Sequence, residues 1–330
     1  MFKFSFLKRP LLYFSCFAAI VLILWILYMF QTDSWILFKD NWFMTVTMVV
    51  GSFIAGASSE GGGAIAYPAM TLLFNIEPDV ARNFSFAIQS FGMTFAAIWI
   101  FLSKIEIEKN YLILAGFGGF IGIILGSYTI VPLIKPDYAK MMFVSFWLSF
   151  GIALWIVNFI SKRKSVRRLP VLTNGQKIEL LAVGIIGGMF SSVLGNGIDI
   201  CTFSYVVLKY GLSEKVATPT SVILMASNAI IGFMLHLFVL DTMQPEAINY
   251  LLVCIPVVIF GAPLGAFVIT LIGRKTIASI LISIIVIQFF TALYVIRPGS
   301  ELLLFSSFIF SVGLLIFFVL TRKNGAHVNS

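Results

Sequence analysis

Two short runs interrupt otherwise apolar stretches of the chain: Ser58-Ser59-Glu60-Gly61-Gly62-Gly63 and Gly195-Asn196-Gly197. Each glycine inside a helix costs about 1 kcal/mol relative to alanine, so a helix entering either run is expected to stop there. The first run lies within 43–74, where an apolar segment, the break and a shorter apolar segment lead to Asn75. The second lies within 178–210, which follows the same plan and ends at Gly211. Each half is shorter than the roughly 20 residues that cross a bilayer. Both segments therefore read as helix-break-helix hairpins that enter and leave on one side.

The surroundings of these breaks decide the class of protein. Of 330 residues, 60% are hydrophobic and 11% charged, against roughly 25% charged in a soluble domain, and the mean hydropathy is +1.03. Apolar runs long enough to span a bilayer occupy 11–30, 82–103, 111–132, 138–160, 216–240, 246–272, 275–296 and 301–320. The first is too long for a signal-peptide core and lacks a small-x-small cleavage site, so it is expected to be a retained helix. The chain reads as an all-α polytopic membrane protein with eight spanning helices and two hairpins.

Loop charge orients it. The segment 161–177 carries Lys162, Arg163, Lys164, Arg167, Arg168 and Lys177 without an acid, which places it in the cytoplasm. With both hairpins re-entrant, Lys3, Lys8, Arg9, Lys104, Lys109, Lys209, Lys215, Arg274, Lys275, Arg322 and Lys323 also face the cytoplasm. The acidic 33–40 and 241–246 loops then face outward. Had each broken segment crossed once, one of the basic clusters would be misplaced. The reading is an integral protein of the plasma (inner) membrane with both termini cytoplasmic. The net charge of +8 thus reports orientation rather than nucleic-acid binding, and lipids are the expected surroundings.

The basic loop divides the chain into similar units. An N-terminal helix and external loop (1–42) precede a first repeat at 43–160; the linker 161–177 precedes a second at 178–296; a helix and cytoplasmic tail (297–330) follow. The repeats hold 118 and 119 residues. At an offset of 136, Gly61 falls on Gly197, Leu72 on Leu208, Asn75 on Gly211, Val80-Ala81 on Val216-Ala217 and Ser85 on Ser221. Asn75 and Gly211 both suit a left-handed helix stop. At an offset of 139, Gly122-x-x-Leu125-Gly126 matches Gly261-x-x-Leu264-Gly265, a spacing that lets helices approach closely. Three spans per unit make the second copy inverted relative to the first, the plan of many secondary transporters.

The glycine-rich break, short half-helix, Val-Ala-x-x-x-Ser helix start and Gly-x-x-x-Gly helix, recurring in both halves over about 43–296, resemble the sulfite exporter TauE/SafE-like permeases. The resemblance implies movement of small sulfur-containing anions such as sulfite and organosulfonates. Glu60 and Asp199, placed in and beside the breaks, depart from the family's usual glycine-rich pattern, and small carboxylates enter as a further substrate class.

Backbone without helix at membrane depth is tolerated where protein buries it or a wet cavity meets it. Half-helices starting near Ala64 and Ile198 would aim amide N–H groups at such a cavity, and a helix N-terminus favours anions. The expected substrate-binding residues are Ser58, Ser59, Glu60, Gly61, Gly62, Gly63, Asn83, Ser85, Gln89, Ser191, Ser192, Gly195, Asn196, Gly197, Thr218, Thr220, Ser221 and Asn228. An ionised Glu60 would repel an anion and a protonated one would donate to it, which suggests proton coupling through Glu60 and, in a different role, Asp199. Duller readings stand beside these. The glycines also permit tight packing, the hydroxyls also back-bond to their own helices, and Glu60 also suits a helix cap. Arg82 is expected to snorkel to the interface and His236 to be structural.

Other chemistries lack their residues. Cys16, Cys201 and Cys254 have no metal-ligand spacing, His236 and His327 are the only histidines, and no phosphate-binding Gly-x-x-x-x-Gly-Lys-[Ser/Thr] run exists. No enzyme activity, cofactor or metal is expected. The leading reading is a secondary transporter for a small anion, with an anion channel or a non-transporting membrane assembly protein as alternatives. The assembly protein predicts a dry, filled space between the two hairpin tips.

Overall fold

The structure, a computed structural model, describes residues 8–58, 66–67, 69–160 and 165–327. Among these residues the helices are α1 (Lys8–Gln31), α2 (Leu37–Ala57), α3 (Pro78–Leu102), α4 (Lys109–Thr129), α5 (Pro136–Trp155), α6 (Asn174–Leu194), α7 (Ile198–Tyr210), α8 (Glu214–Met234), α9 (Pro245–Leu271), α10 (Arg274–Ile296) and α11 (Ser300–His327). π-helical turns cover Ala69–Leu73, Ile156–Ile160 and Leu235–Val239. The all-helical membrane class is as expected.

The helix starts follow from local chemistry. Pro78, Pro136 and Pro245 open α3, α5 and α9, each followed by an acid in the first turn: Asp79, Asp137 and Glu246. Proline suits the first helical position because its missing N–H would be unsatisfied there anyway, and the acids complement the helix dipole. Thr173 and Gln176 form a reciprocal capping box at the start of α6.

That cap corrects one expectation. It begins α6 ahead of its apolar run, so α6 holds 21 residues, about 31 Å of helix. α2, starting at Leu37, is also 21 residues long. α6 is therefore not too short to span, whereas α2 is kinked at Asn41 and its straight run covers 42–57. Among the described residues nine helices have the length and apolarity of a span: the eight expected, plus Asn174–Leu194. The second arms are short, and α7 has 13 residues.

α7 returns along α6: an added Cβ on Gly187 would lie 2.8 Å from the Ile198 backbone. At the open end of this hairpin, Lys209 pairs with Glu179, which also accepts the Tyr205 hydroxyl at 2.6 Å. In the first broken segment, Phe43 on α2 and Phe74 beyond the π-turn bring their rings to 4.5 Å.

The halves interlock crosswise. α2 packs on α9 and α4 on α6, while α3 packs on α8. At the first two crossings glycines bring backbones together. An added Cβ on Gly126 would meet Ser192 Oγ at 2.3 Å and Met189 Cα at 2.9 Å, and one on Gly265 would meet Phe53 O at 2.1 Å and the Gly56 carbonyl carbon at 3.0 Å. The helices α6, α8, α9 and α10 start 136 to 138 residues after α2, α3, α4 and α5. Asn75 and Gly211 both have positive φ, 58° and 70°, as their residue types led one to expect.

Edge contacts fix which ends share a side. The start of α1 meets the end of α3 through Phe14 with Phe95 and Trp99. The linker joins the far end of α7 where the Val166 N–H donates to Gly211 O at 2.9 Å and the Ser213 N–H to Val166 O at 2.7 Å. α11 runs parallel to α5, from Tyr138 against Phe305 to Phe150 against Phe317. The beginning of α1, the basic linker and the end of α11 therefore lie at one end of the bundle.

Candidate functional site

The break after α6 is built tightly. Gly195 adopts φ 74° and its N–H donates to Ser191 O at 2.7 Å. An added Cβ there would lie 2.5 Å from Ser85 Cβ and 2.6 Å from Arg82 O, so the left-handed turn and the closeness of α3 both demand glycine. Ser191 Oγ accepts the Ile198 N–H at 2.9 Å, satisfying one of the free donors that open α7. Gln89, on α3, donates to Gly195 O at 2.9 Å and to Ser85 O at 3.0 Å. Asn196 is buried with the tip. The tip is thus a piece of bare backbone held inside the protein by Ser85, Gln89 and Ser191.

Asp199 stands in the first turn of α7 and is fully buried. Its carboxyl group lies beside the amides of Gly197, Asp199 and Ile200, but neither oxygen reaches hydrogen-bonding geometry with a described residue. One turn on, Thr202 Oγ1 donates to Ile198 O at 2.6 Å and lies 2.9 Å from the Tyr111 hydroxyl. Tyr111 is fully buried and is also faced by Ser221. Thr218 Oγ1 and Asn228 Oδ1, on the same stripe of α8, are buried oxygens without a described partner. Asn228 Oδ1 would lie 3.0 Å from a Cβ on Gly119, which also abuts Ile198. The arrangement is a buried acid flanked by hydroxyls, an amide and helix-end N–H groups. On its other flank Phe143, Phe146, Phe190 and Ile200 bound a narrow apolar crevice that reaches Gly197 and Cys201.

Some expected residues are elsewhere. Asn83 spends its amide on Thr242 O and Gln244 Oε1, both at 2.7 Å, clamping α3 to the loop before α9. Thr220 back-bonds to Val216 O at 2.7 Å and accepts the Glu108 N–H at 2.9 Å. Ser192 back-bonds to Met189 O at 2.7 Å, the duller reading of a membrane hydroxyl. Ser58 is buried at the end of α2. Ser59, Glu60, Gly61, Gly62 and Gly63 lie outside the described residues, and so does the space between the two tips. Arg82 does not snorkel: it is 5% exposed, because its guanidinium is drawn along α3 to Asp79 and Asn83. His236 is buried, stacked on Phe86. Sequence reasoning passed over Tyr111 and Lys209. A tyrosine beside basic residues reads as an interface anchor, and a lysine beyond an apolar run reads as a topology marker.

Comparison with curated proteins and with solved structures finds no match to this chain. The family model described as sulfite exporter TauE/SafE matches residues 5–154 and 43–294. The second match runs from within α2 to within α10 and includes both breaks. The chain belongs to the sulfite exporter TauE/SafE family, whose members are membrane transporters of sulfur-related anions and not enzymes.

Proposed function

We propose that the protein is a secondary transporter that binds a small anion near the bilayer midplane, between the 58–63 and 195–197 breaks, and couples its movement to a proton. The substrate class is a sulfur-containing oxyanion, an organosulfonate or a small carboxylate. The observation that carries this reading is the buried Gly195-Asn196-Gly197 tip with the fully buried Asp199 behind it. Broken backbone and an acid at membrane depth are both costly and mark functional sites. The N–H groups that open α7 supply the attraction for an anion. Asp199 supplies the coupling: ionised it repels the anion, and protonated it does not. Glu60 is assigned a separate proton-linked role in the first half.

Three features support two inverted repeats, 43–160 and 178–296, joined by the linker 161–177 and flanked by 1–42 and 297–330. Equivalent helices start at a near-constant displacement. The first arm of each half packs on the second span of the other. At the 136 offset Phe43 falls on Glu179 and Leu73-Phe74 on Lys209-Tyr210, so each hairpin closes at the same place. That closure supports re-entrant hairpins, opening to opposite sides of the membrane. The grouping of both termini with the basic linker supports a cytoplasmic location for all three in the plasma membrane.

The test is flux of sulfite, sulfonates and small carboxylates in proteoliposomes, with and without a pH gradient. Saturable flux accelerated by a proton gradient along the direction of the anion is expected. Asp199→Asn and Glu60→Gln are each expected to retain anion exchange and lose the pH dependence. Unchanged pH dependence in both variants would sink proton coupling, and channel-sized conductance in a planar bilayer would sink the carrier.

A further inference from the structure

At the end of the bundle opposite the basic linker, one network ties a buried cation to a buried imidazole. Arg82 Nε donates to Asn83 Oδ1 at 3.1 Å, Asn83 Nδ2 donates to Thr242 O at 2.7 Å, and Thr242 Oγ1 lies 2.8 Å from His236 Nδ1. His236 is 2% exposed, and its Nε2 has no partner among the described residues. Arg82 is within electrostatic reach of both His236 and the buried Tyr67 hydroxyl.

The balancing charge for Arg82 is unusual in its placement. Its guanidinium pairs with Asp79 at 2.9 Å, where the arginine side chain is 6% exposed and the aspartate 67%. The cation is fixed inside the protein and its carboxylate stands in solvent. Exchange of this carboxylate for an arriving anion costs little, because the displaced carboxylate returns to water. The buried guanidinium cannot be left without an anion, because an uncompensated buried charge is expensive. The backbone carbonyl of Arg82 abuts the Gly195 tip, while its guanidinium is drawn toward Asp79 at the start of α3.

We propose that Arg82 and His236 form a second anion site for a small oxyanion, sulfonate or carboxylate, on the route between the Gly195 tip and that end of the bundle. Asp79 occupies the guanidinium between substrates and is displaced by the arriving anion. The proposal rests on the transporter reading above, which supplies the class of ligand but assigns these residues no part.

Sulfite and sulfate are titrated calorimetrically into the purified full-length protein in detergent, with chloride of equal ionic strength as the control. Asp79→Asn removes the competing carboxylate and is expected to tighten binding about two- to fivefold. Arg82→Gln is expected to weaken it about 10- to 100-fold, Arg82→Lys less, and His236→Gln to weaken it also. A purely structural Arg82–Asp79 pair predicts the opposite sign for Asp79→Asn, which sits in solvent and tests the idea even where Arg82→Gln fails to fold. Wild-type binding that Asp79→Asn weakens or leaves unchanged overturns the second site and leaves the transporter reading standing. Absence of any anion binding to the wild type overturns both.

Discussion

Adding one methyl group at Gly122 or Gly265 tests the crosswise packing that brings the two halves together. A Cβ on Gly122 would lie 2.0 Å from Ile185 O and 2.8 Å from its carbonyl carbon, and one on Gly265 would lie 2.1 Å from Phe53 O. Both obstacles are backbone of the facing helix, so no rotamer change relieves them. Restoring a separation of 3.0 Å needs α4 and α6, or α9 and α2, to part by about 1 Å, a displacement that overpacked cores resist at about 1–3 kcal/mol. At about 2–4 °C per kcal/mol for domains of a couple of hundred residues, Gly122→Ala and Gly265→Ala should each lower the unfolding midpoint by about 3–10 °C. The two losses should be similar, because the crossings are equivalent. A thiol-reactive dye reads the transition on a Cys16→Ser background, since Cys201 and Cys254 are buried and Cys16 is exposed. Gly175→Ala is the control, as nothing lies within 4 Å of the added Cβ. Midpoints of Gly122→Ala and Gly265→Ala matching that control would refute the close crossing.

At the open end of the α6–α7 hairpin, Glu179→Gln should destabilise more than Lys209→Met. Lys209 is 6% exposed and Glu179 51%, so losing the acid strands a buried charge, whereas losing the lysine leaves a solvated carboxylate; equal midpoints in the dye assay would contradict this. Gln89→Leu removes the donor to the buried Gly195 carbonyl and should cost about 1–3 kcal/mol, read in the same assay, and anion flux per folded molecule should fall with it. Wild-type flux from Gln89→Leu would show that the tip needs no such anchor.

The sequence carried the architecture because membrane folding writes its rules locally. The glycine runs, the positive charge of 161–177 and the residues suited to left-handed stops each have one cheap structural reading, and Gly195 and Asn75 adopt the conformations their types favour. Arm length was misread because the cap at Thr173 lies outside the apolar run, where hydropathy carries no signal. The site was less legible for a physical reason. A hydroxyl on a membrane helix has an ever-present partner in its own backbone, and Ser192 and Thr220 take it. Which hydroxyls face a neighbouring helix depends on rotation about the helix axis, and that is set by packing; Tyr111 meets Thr202 across 91 residues. Arg82 was misplaced because snorkelling assumes lipid around the helix end, whereas α3 is enclosed by protein there.

The buried charges complete the argument from composition. Arg82 and Lys209 lie at opposite ends of the bundle, each 6% exposed at its side chain, and each paired with a carboxylate that is mostly or half in solvent. The repeat does not relate them, since Arg82 falls on Thr218 at the 136 offset and Lys209 on Leu73. The same electrostatic arrangement therefore arises twice from different residues, in a chain that is only 11% charged. In each, the exposed carboxylate is what keeps the buried cation from standing uncompensated. Asp199 is fully buried and has no cation paired with it among the described residues, and under the proposed coupling an anion held at the tip and an ionised Asp199 would exclude one another.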